Sequence, residues 1–190
     1  MEEIISFEDL ADTIRRLPPS CGPVRLVAVD GPGGSGKTTF AGRLAQALGA
    51  QVVHSDDFPV PWDEVPQAWF GNVEEQVLGP LAAGLPGRYR RYDWVRGGYT
   101  DWVDVPVAPV LLLEGVSTAR RTTPAAFTVW VGAPAKLRQA RVLARDGERF
   151  AAQWREWRLA EEKWFTADDT RARADLLLDG ARVPGEFVRV

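Results

Sequence analysis

The sequence predicts an α/β fold of three layers, with a central parallel sheet between two layers of helices. Short apolar runs bounded by turn residues alternate with longer segments of helical periodicity, which is typical of βαβ units. The predicted buried strands cover residues 24–29, 51–54, 110–113, 127–131 and 174–178. Ligands of such sheets bind at the carboxyl ends of the strands, so we expect the functional residues there.

Helical segments are predicted around these strands. Ser6 is a suitable N-cap for an amphipathic helix within the N-terminal region 1–20. Residues 63–85 have a helical pattern in patches, with interruptions at Pro66, Gly71 and Pro80. Two aromatic-rich segments joined by glycines predict a β-hairpin over about residues 86–106. Further helices are expected over residues 38–48, 134–144 and 148–164.

Length and composition limit the class of protein. The chain has 190 residues, which predicts one domain over residues 1–190. Its single cysteine, Cys21, permits no internal disulfide and fits a reducing cytoplasm. The net charge of -3 argues against nucleic acid as a partner, and no apolar stretch is long enough to span a membrane. A homo-oligomer is compatible with this composition.

The segment after the first buried strand matches a complete Walker A motif. Glycines allow its backbone N–H groups to point inward around phosphate oxygens, and the following helix contributes a favourable dipole. The lysine supplies a charge for the phosphates and the first threonine a hydroxyl for Mg²⁺. We therefore predict a P-loop NTPase fold that uses ATP and Mg²⁺. The predicted nucleotide-binding residues are Gly31, Gly33, Gly34, Ser35, Gly36, Lys37, Thr38 and Thr39.

Carboxylates follow two other predicted strands. Asp56 has three interpretations: a general base for an acceptor hydroxyl, a ligand of Mg²⁺, or a turn cap. We expect its neighbour Asp57 to be structural, because two adjacent side chains rarely point into one site. Glu114 ends a strand where a carboxylate could support Mg²⁺, the alternative being a capping acid. His54, the only histidine, is expected to be structural.

Arginines are concentrated late in the chain. Guanidinium groups suit phosphate oxygens, so we predict a helical lid over about residues 141–165 that closes on the nucleotide and excludes water. Arg141 and Arg145 are the predicted catalytic members, and the alternative is a solvated charged face. Three tryptophans share one face of the same region, where we favour packing over base stacking. They are Trp154, Trp157 and Trp164.

Together these residues resemble the uridine kinase and phosphoribulokinase branch of the P-loop kinases. The matching segments lie between residues 24 and 180: residues 31–39, Ser55-Asp56-Asp57-Phe58, Tyr92-Asp93-Trp94, Glu114-Gly115-Val116 and residues 141–146. Pro59 and residues 95–98 depart from the tyrosine and histidine that are usual in uridine kinases.

The resemblance implies a role for each matching segment. Asp56 would act on the acceptor hydroxyl, Glu114 would support magnesium, and the lid arginines would contact phosphates. Tyr92, Asp93 and Trp94 would lie in the hairpin that forms the acceptor pocket. Phe58 and Arg96 complete the predicted acceptor-binding residues, and Arg96 would favour an acidic or phosphorylated acceptor unless it is a surface charge.

Two functions are compatible with these features. The first is transfer of the γ-phosphate of ATP to a hydroxyl of a small molecule, with a nucleoside as the leading acceptor. The second is a nucleotide-dependent switch or regulatory ATPase without a small acceptor. The guanine-recognition motif of GTPase switches, asparagine-lysine-x-aspartate, is absent from the sequence, which argues against a GTPase.

Overall fold

The computed structural model describes residues 3–60, 64–181 and 187–190. A seven-stranded sheet lies at the centre of this part of the chain. A separate two-stranded hairpin is formed by β4 and β5. The strands are β1 (Glu3–Ile4), β2 (Arg25–Asp30), β3 (Gln51–His54), β4 (Gly87–Asp93), β5 (Gly98–Val105), β6 (Val110–Glu114), β7 (Phe127–Gly132), β8 (Leu176–Asp179) and β9 (Val188–Arg189).

The strand order of the large sheet is β1-β9-β8-β7-β2-β6-β3. Its five strands from β8 to β3 are parallel, and β9 and β1 extend it in the antiparallel sense. The predicted parallel sheet is thus confirmed, and each predicted buried strand lies within two residues of the observed bounds. The two-residue strands β1 and β9 were not predicted, because pairs of residues carry no periodic pattern.

Helices connect the strands. They are α1 (Phe7–Arg16), α2 (Lys37–Leu48), α3 (Phe70–Val73), α4 (Gly79–Ala82), α5 (Ala135–Asp146), α6 (Ala151–Asp168) and α7 (Thr170–Arg173). The predicted cap of α1 is confirmed, since the Ser6 hydroxyl accepts a hydrogen bond from the Asp9 backbone N–H at 3.3 Å. Among the described residues, no helix is both long and apolar enough to cross a bilayer.

The interruptions predicted at Gly71 and Pro80 are wrong. A π-helical segment (Glu74–Leu78) joins α3 to α4, so the backbone is helical from Phe70 to Ala82. Pro80 is tolerated because it lies in the first turn of α4, directly after the wider π turn, where hydrogen bonding is already irregular. Pro66 does lie in a turn before the helix, and Asp63 lies outside the described residues.

Two apolar layers cover the two faces of the sheet. Along β2, Leu26 packs in the layer that contains Trp69 and Phe70, whereas Val27 packs in the layer that contains Phe40. All five residues are almost completely buried. Because successive strand residues point to opposite faces, apolar residues at consecutive positions require a layer on each side. This arrangement confirms the predicted three-layer fold.

The predicted hairpin and the two helices predicted around the lid segment are both present in the structure. The antiparallel hairpin is confirmed, with Gly87 opposite Val105 at its base. The two helices expected around the predicted lid segment are present as α5 and α6, and the chain breaks between them at Gly147, which has a φ of 98°. Whether these helices move as a lid stays a prediction.

Candidate active site

Three strand ends meet at one edge of the parallel sheet. In the register of β6, Glu114 lies opposite Val29 of β2 on one side and opposite His54 of β3 on the other. The P-loop follows β2, and the turn that carries Asp56 follows β3. The convergence expected from the sequence is therefore present in the structure.

The P-loop has the backbone conformation that its glycines permit. Gly31, Gly34 and Gly36 have positive φ angles of 140°, 76° and 103°. A Cβ atom at Gly31 would lie 2.2 Å from the carbonyl oxygen of Val131, so only glycine fits this approach to β7. Gly36 is the N-cap of α2 and provides no side-chain cap, which leaves the first helical N–H groups available to an anion.

Two P-loop side chains are buried with groups that suit a phosphate. Lys37 is 7% exposed, and its Nζ atom donates a hydrogen bond to the Pro32 carbonyl oxygen at 3.0 Å. The Oγ atom of Ser35 is buried and has no hydrogen-bond partner in the structure. Among the described residues, the Ser35 hydroxyl lacks a partner, the Lys37 amine is cationic, and no side chain caps the first N–H groups of α2. Together these groups fit the binding of a triphosphate.

Asp30 joins the P-loop to the loop after β6. Its fully buried carboxylate accepts backbone hydrogen bonds from Gly31 at 2.7 Å, Ser117 at 3.0 Å and Ala119 at 2.9 Å. Burial raises the pKa of Asp30 to about 7, although these N–H groups and the charge of Lys37 act in the opposite direction. Sequence reasoning did not foresee the contacts of Asp30 with Ser117 and Ala119, because these residues lie in a loop distant in sequence.

Glu114 is the centre of the candidate metal site. Its side chain is almost fully buried and accepts a hydrogen bond from the Thr38 hydroxyl at 3.3 Å. Its second oxygen lies 2.7 Å from Nδ1 of His54, and this hydrogen bond raises the pKa of the histidine. His54 thus orients the carboxylate, which is more than the structural role expected from the sequence.

The oxygen atoms beside the P-loop suit Mg²⁺ only if phosphates complete its coordination shell. The described residues contain no cluster of three or more His, Cys, Asp or Glu side chains that could hold a metal alone. Mg²⁺ commonly takes one or two carboxylates and completes its shell with water and substrate phosphates. Thr38, Glu114 and Asp56 provide oxygen atoms of this kind beside the P-loop.

Asp56 lies in a short 3₁₀ turn (Ser55–Asp57) directly after β3. Solvent reaches the residue, yet the surrounding protein still disfavours its charge and raises its pKa, with a further contribution from Glu114. The positive charges of Lys37 and Arg145 act in the opposite direction. The turn therefore places one carboxylate, close to two cations, at the accessible mouth of the site.

Asp57 points away from Asp56 into the interface with the hairpin. It is buried, accepts a hydrogen bond from the Tyr89 hydroxyl at 2.6 Å and forms an ion pair with Arg91 at 3.1 Å. These contacts agree with the structural role predicted for Asp57. They also hold β4 against the turn that carries Asp56.

Of the predicted acceptor-binding residues of the hairpin, Trp94 contacts the backbone of Asp56, and the others make contacts within the hairpin. The Asp93 carboxylate accepts the backbone N–H groups of Val95 and Arg96 at the hairpin turn, and these bonds lower its pKa. The Trp94 indole N–H donates to the Asp56 carbonyl oxygen at 2.7 Å. The Tyr92 ring packs edge-on against Trp94, with centroids 5.1 Å apart.

Phe58 and Arg96 occupy different environments. Phe58 is 3% exposed and stacks on Tyr89 with a centroid distance of 4.9 Å, so the structure places it in the core. Arg96 is largely exposed and lies 3.7 Å from Asp93. It borders an open cleft of about 560 Å³ along the hairpin. Their roles in acceptor binding stay predictions.

The arginines of α5 contact the P-loop through its carbonyl oxygens. Arg138 donates to the Gly33 carbonyl at 3.3 Å, and Arg141 donates to the carbonyls of Gly34 at 3.3 Å and Gly180 at 2.9 Å. The exposed Arg145 pairs with Asp146 at 2.7 Å. Arg138 and Arg141 thus lie against the P-loop itself, and contact of these arginines or of Arg145 with phosphate stays a prediction.

Sequence reasoning missed Glu161 of α6. Both of its carboxylate oxygens accept the backbone N–H of Gly33, at 3.0 and 3.2 Å, inside the P-loop. The Trp157 indole donates to the same carboxylate at 2.8 Å. One signal was available: Glu161 lies on the helix face of Trp154, Trp157 and Trp164, where a carboxylate among aromatic residues is unusual.

Solved structures similar to this chain include two kinases. One is a "putative fructose transport system kinase" from Silicibacter sp. TM1040, with a TM-score of 0.71, 22% identity and coverage of 91% of this chain and 98% of that chain. The other is a "possible uridine kinase" from Bacillus stearothermophilus, with a TM-score of 0.63, 19% identity and coverage of 90% and 96%. This is the fold of the P-loop kinases of the uridine kinase and phosphoribulokinase type.

The fold assignment rests on structural similarity, since no family model and no curated protein matches the sequence. The resemblance is confirmed at the level of fold, and the roles of individual residues stay predictions.

Proposed function

We propose that this protein transfers the γ-phosphate of ATP, with Mg²⁺, to a hydroxyl group of a small molecule, and that a nucleoside is the first acceptor to test. The observation that carries the proposal is the convergence of the P-loop, Asp56 and Glu114 at one edge of the sheet. Kinases of the same fold support it. A phosphate site and an accessible carboxylate base together are what phosphoryl transfer to a hydroxyl needs.

The proposed reaction forms one bond at the γ-phosphorus, breaks another there, and transfers the acceptor proton. The acceptor oxygen forms a bond to the γ-phosphorus, and the bond from that phosphorus to the bridging oxygen breaks, which releases ADP. The hydroxyl proton passes to the Asp56 carboxylate. A raised pKa brings a carboxylate closer to neutral pH and makes it a better base.

Cations around the carboxylate would stabilise the transferred charge. Lys37 is the nearest fixed cation of the P-loop, and Arg145 interacts electrostatically with Asp56 and Glu114. Such preorganised charges act on the developing charge without reorganisation. Thr38 and Glu114 would hold Mg²⁺, which would supply positive charge against the phosphates.

The acceptor would enter from the hairpin side. The contact between Trp94 and the Asp56 carbonyl places the hairpin tip beside the proposed base. Arg96 is already close to Asp93, so its charge is partly matched within the hairpin. This supports a neutral acceptor over a strongly acidic one and keeps nucleosides first among the candidates.

The proposal is tested by measuring ATP turnover with nucleosides, sugars and vitamins as acceptors. We expect acceptor-dependent ADP release that falls about 10²–10⁴-fold in Asp56→Asn, because the general base is lost. Lys37→Ala should lose activity as well. Asp12→Asn, an exposed residue of α1 that pairs with Arg15, is the matched control and should keep full activity.

Two results would contradict the assignment. Acceptor-dependent turnover that persists in both Asp56→Asn and Lys37→Ala would place the chemistry elsewhere. Slow ATP hydrolysis that no acceptor changes would support the regulatory ATPase instead.

A further inference from the structure

The carboxylate of Glu161 accepts a hydrogen bond from a backbone N–H group of the P-loop. Its side chain is 2% exposed, and its two oxygens lie 3.0 and 3.2 Å from the backbone nitrogen of Gly33. The N–H groups of a P-loop are the donors that hold phosphate oxygens. Glu161 therefore lies where a negatively charged ligand group would otherwise accept this hydrogen bond.

Neighbouring groups offset the free-energy cost of burying the Glu161 carboxylate. The Trp157 indole donates to Oε1 at 2.8 Å, and NH1 of Arg138 lies 3.9 Å from Oε2. Burial raises the pKa of the carboxyl group, while the charge of Lys37 and the two hydrogen bonds oppose that rise. Two of these compensating groups, Lys37 and the Gly33 N–H, belong to the predicted phosphate site.

The contact between Glu161 of α6 and the P-loop differs in kind from the contacts between α5 and the P-loop. Arg138 and Arg141 donate to P-loop carbonyl oxygens, which a phosphate cannot use. Glu161 instead accepts from an N–H group, which a phosphate does use. A phosphate oxygen at Gly33 and the Glu161 carboxylate would also repel each other, because both are negative and share the charge of Lys37.

We propose that Glu161 is a built-in competitor of the nucleotide, which holds α6 against the P-loop through the Gly33 N–H and is displaced when a triphosphate binds. This inference rests on the proposed function, in which the P-loop binds ATP. Since Glu161 belongs to α6, its release couples the position of that helix to the occupancy of the phosphate site. The residue thereby lowers the affinity for the nucleotide, and nucleotide binding changes the position of α6.

The expected size of the effect follows from the population of the bound carboxylate. When only a fraction of the molecules has a free site, the apparent Kd is the intrinsic Kd divided by that fraction. If about nine-tenths of the molecules carry the Glu161 contact, its loss tightens binding about tenfold. Glu161→Gln removes the charge with little change in volume.

Binding is measured by isothermal titration calorimetry on the full chain, with Mg-ATP, inorganic tripolyphosphate and adenosine as separate probes. We expect Glu161→Gln to bind Mg-ATP and tripolyphosphate about tenfold more tightly than the wild type and adenosine no more tightly, because adenosine has no phosphate. Glu162→Gln is the matched control. Glu162 is the exposed neighbour that pairs with Arg158, so this variant should bind like the wild type.

A second variant removes the side chain that donates a hydrogen bond to Glu161 from within α6. Trp157→Phe keeps an aromatic ring and removes the N–H that holds Glu161, so we expect a smaller gain in affinity for Mg-ATP. Thermal denaturation of each variant establishes that it is folded before it is titrated.

The outcomes separate this inference from the proposed function. If the wild type binds Mg-ATP and Glu161→Gln binds it equally or more weakly, the competitor role is overturned while the nucleotide site stands. If neither the wild type nor any of these variants binds Mg-ATP, the proposed function fails and this inference fails with it.

Discussion

Asp30 shows how one buried carboxylate can make stability depend on pH. Its pKa is about 7 in the folded protein and about 3.9 in an unfolded chain. Between these values the folded state binds more protons than the unfolded state, so the free energy of unfolding falls as the pH rises. The contribution is fully present below about pH 4 and is lost by about pH 7.

We expect this loss to reach about 4 kcal/mol, since the pKa differs by about three units and each unit corresponds to about 1.4 kcal/mol. Urea denaturation of the wild type and of Asp30→Asn from pH 4 to pH 8 measures it. The variant cannot ionise at this position. A stability difference between the two proteins that stays constant over this range would show that Asp30 does not titrate as assigned.

Some site residues could be predicted from local sequence, and others could not. The P-loop, Asp56 and Glu114 were predictable because each follows a buried strand, and parallel strands end at a common edge. Glu161 was not, because its partner is the backbone N–H of Gly33, 128 positions earlier in the chain. No periodicity within α6 reveals which surface that helix will meet.

At the scale of elements, the junction of β2 and the P-loop is packed too closely for any side chain. We expect Gly31→Ala to lower the free energy of unfolding by about 2–4 kcal/mol, since the Cβ atom would meet the Val131 carbonyl and the positive φ is strained. Urea denaturation measures the change. The matched control is Gly42→Ala in α2, where no atom lies within 4 Å of the new Cβ.

The control should have the opposite sign. Alanine is favoured over glycine inside a helix by about 0.5–1 kcal/mol, so Gly42→Ala should be slightly stabilising. Equal stability of the two variants would mean that the approach of the P-loop to β7 is looser than described. A substitution at Gly31 should also reduce nucleotide binding, because the same turn aims the N–H groups of the loop.

The tryptophans of α6 show what helical periodicity can predict. Their shared face indicated packing against the rest of the protein, and Trp154 is 4% exposed, in agreement. Trp157 donates to Glu161, and the indole nitrogen of Trp164 is buried without a hydrogen-bond partner. Burial of Trp154 leaves no free ring face there for a nucleobase. The spacing identified the buried face but not the chemistry on it.

At the scale of the whole molecule, nucleotide binding should be visible as stabilisation. A ligand that binds only the folded state adds about 2.7 kcal/mol at a concentration of 100 times its Kd. For a chain of this size, 1 kcal/mol shifts Tm by about 2–4 °C, so we expect a rise of about 5–11 °C with saturating Mg-ATP. Differential scanning calorimetry measures the shift.

Lys37→Ala is the comparison that links this shift to the P-loop. The variant should unfold near the wild-type temperature without ligand and should show little or no rise with Mg-ATP. A similar rise in the wild type and in Lys37→Ala would place the ATP site elsewhere on the molecule.

The global architecture was largely predictable, because consecutive apolar positions in five strands demand a sheet that is covered on both faces. The order of the strands was not, since it depends on how the connecting helices pack. The hairpin was predictable from its glycines and aromatic residues. Its attachment to the sheet depends on the contacts of Asp57 with Tyr89 and Arg91, which no local pattern contains.

The three backbone bonds of Asp30 have a mechanical consequence. They fasten the start of the P-loop to the loop that follows Glu114, so the phosphate cradle and the candidate magnesium carboxylate share one anchor. Neither can shift without straining the other. We therefore expect the P-loop and the loop after Glu114 to stay fixed when a substrate binds. The elements expected to move are the hairpin and the helices α5 and α6.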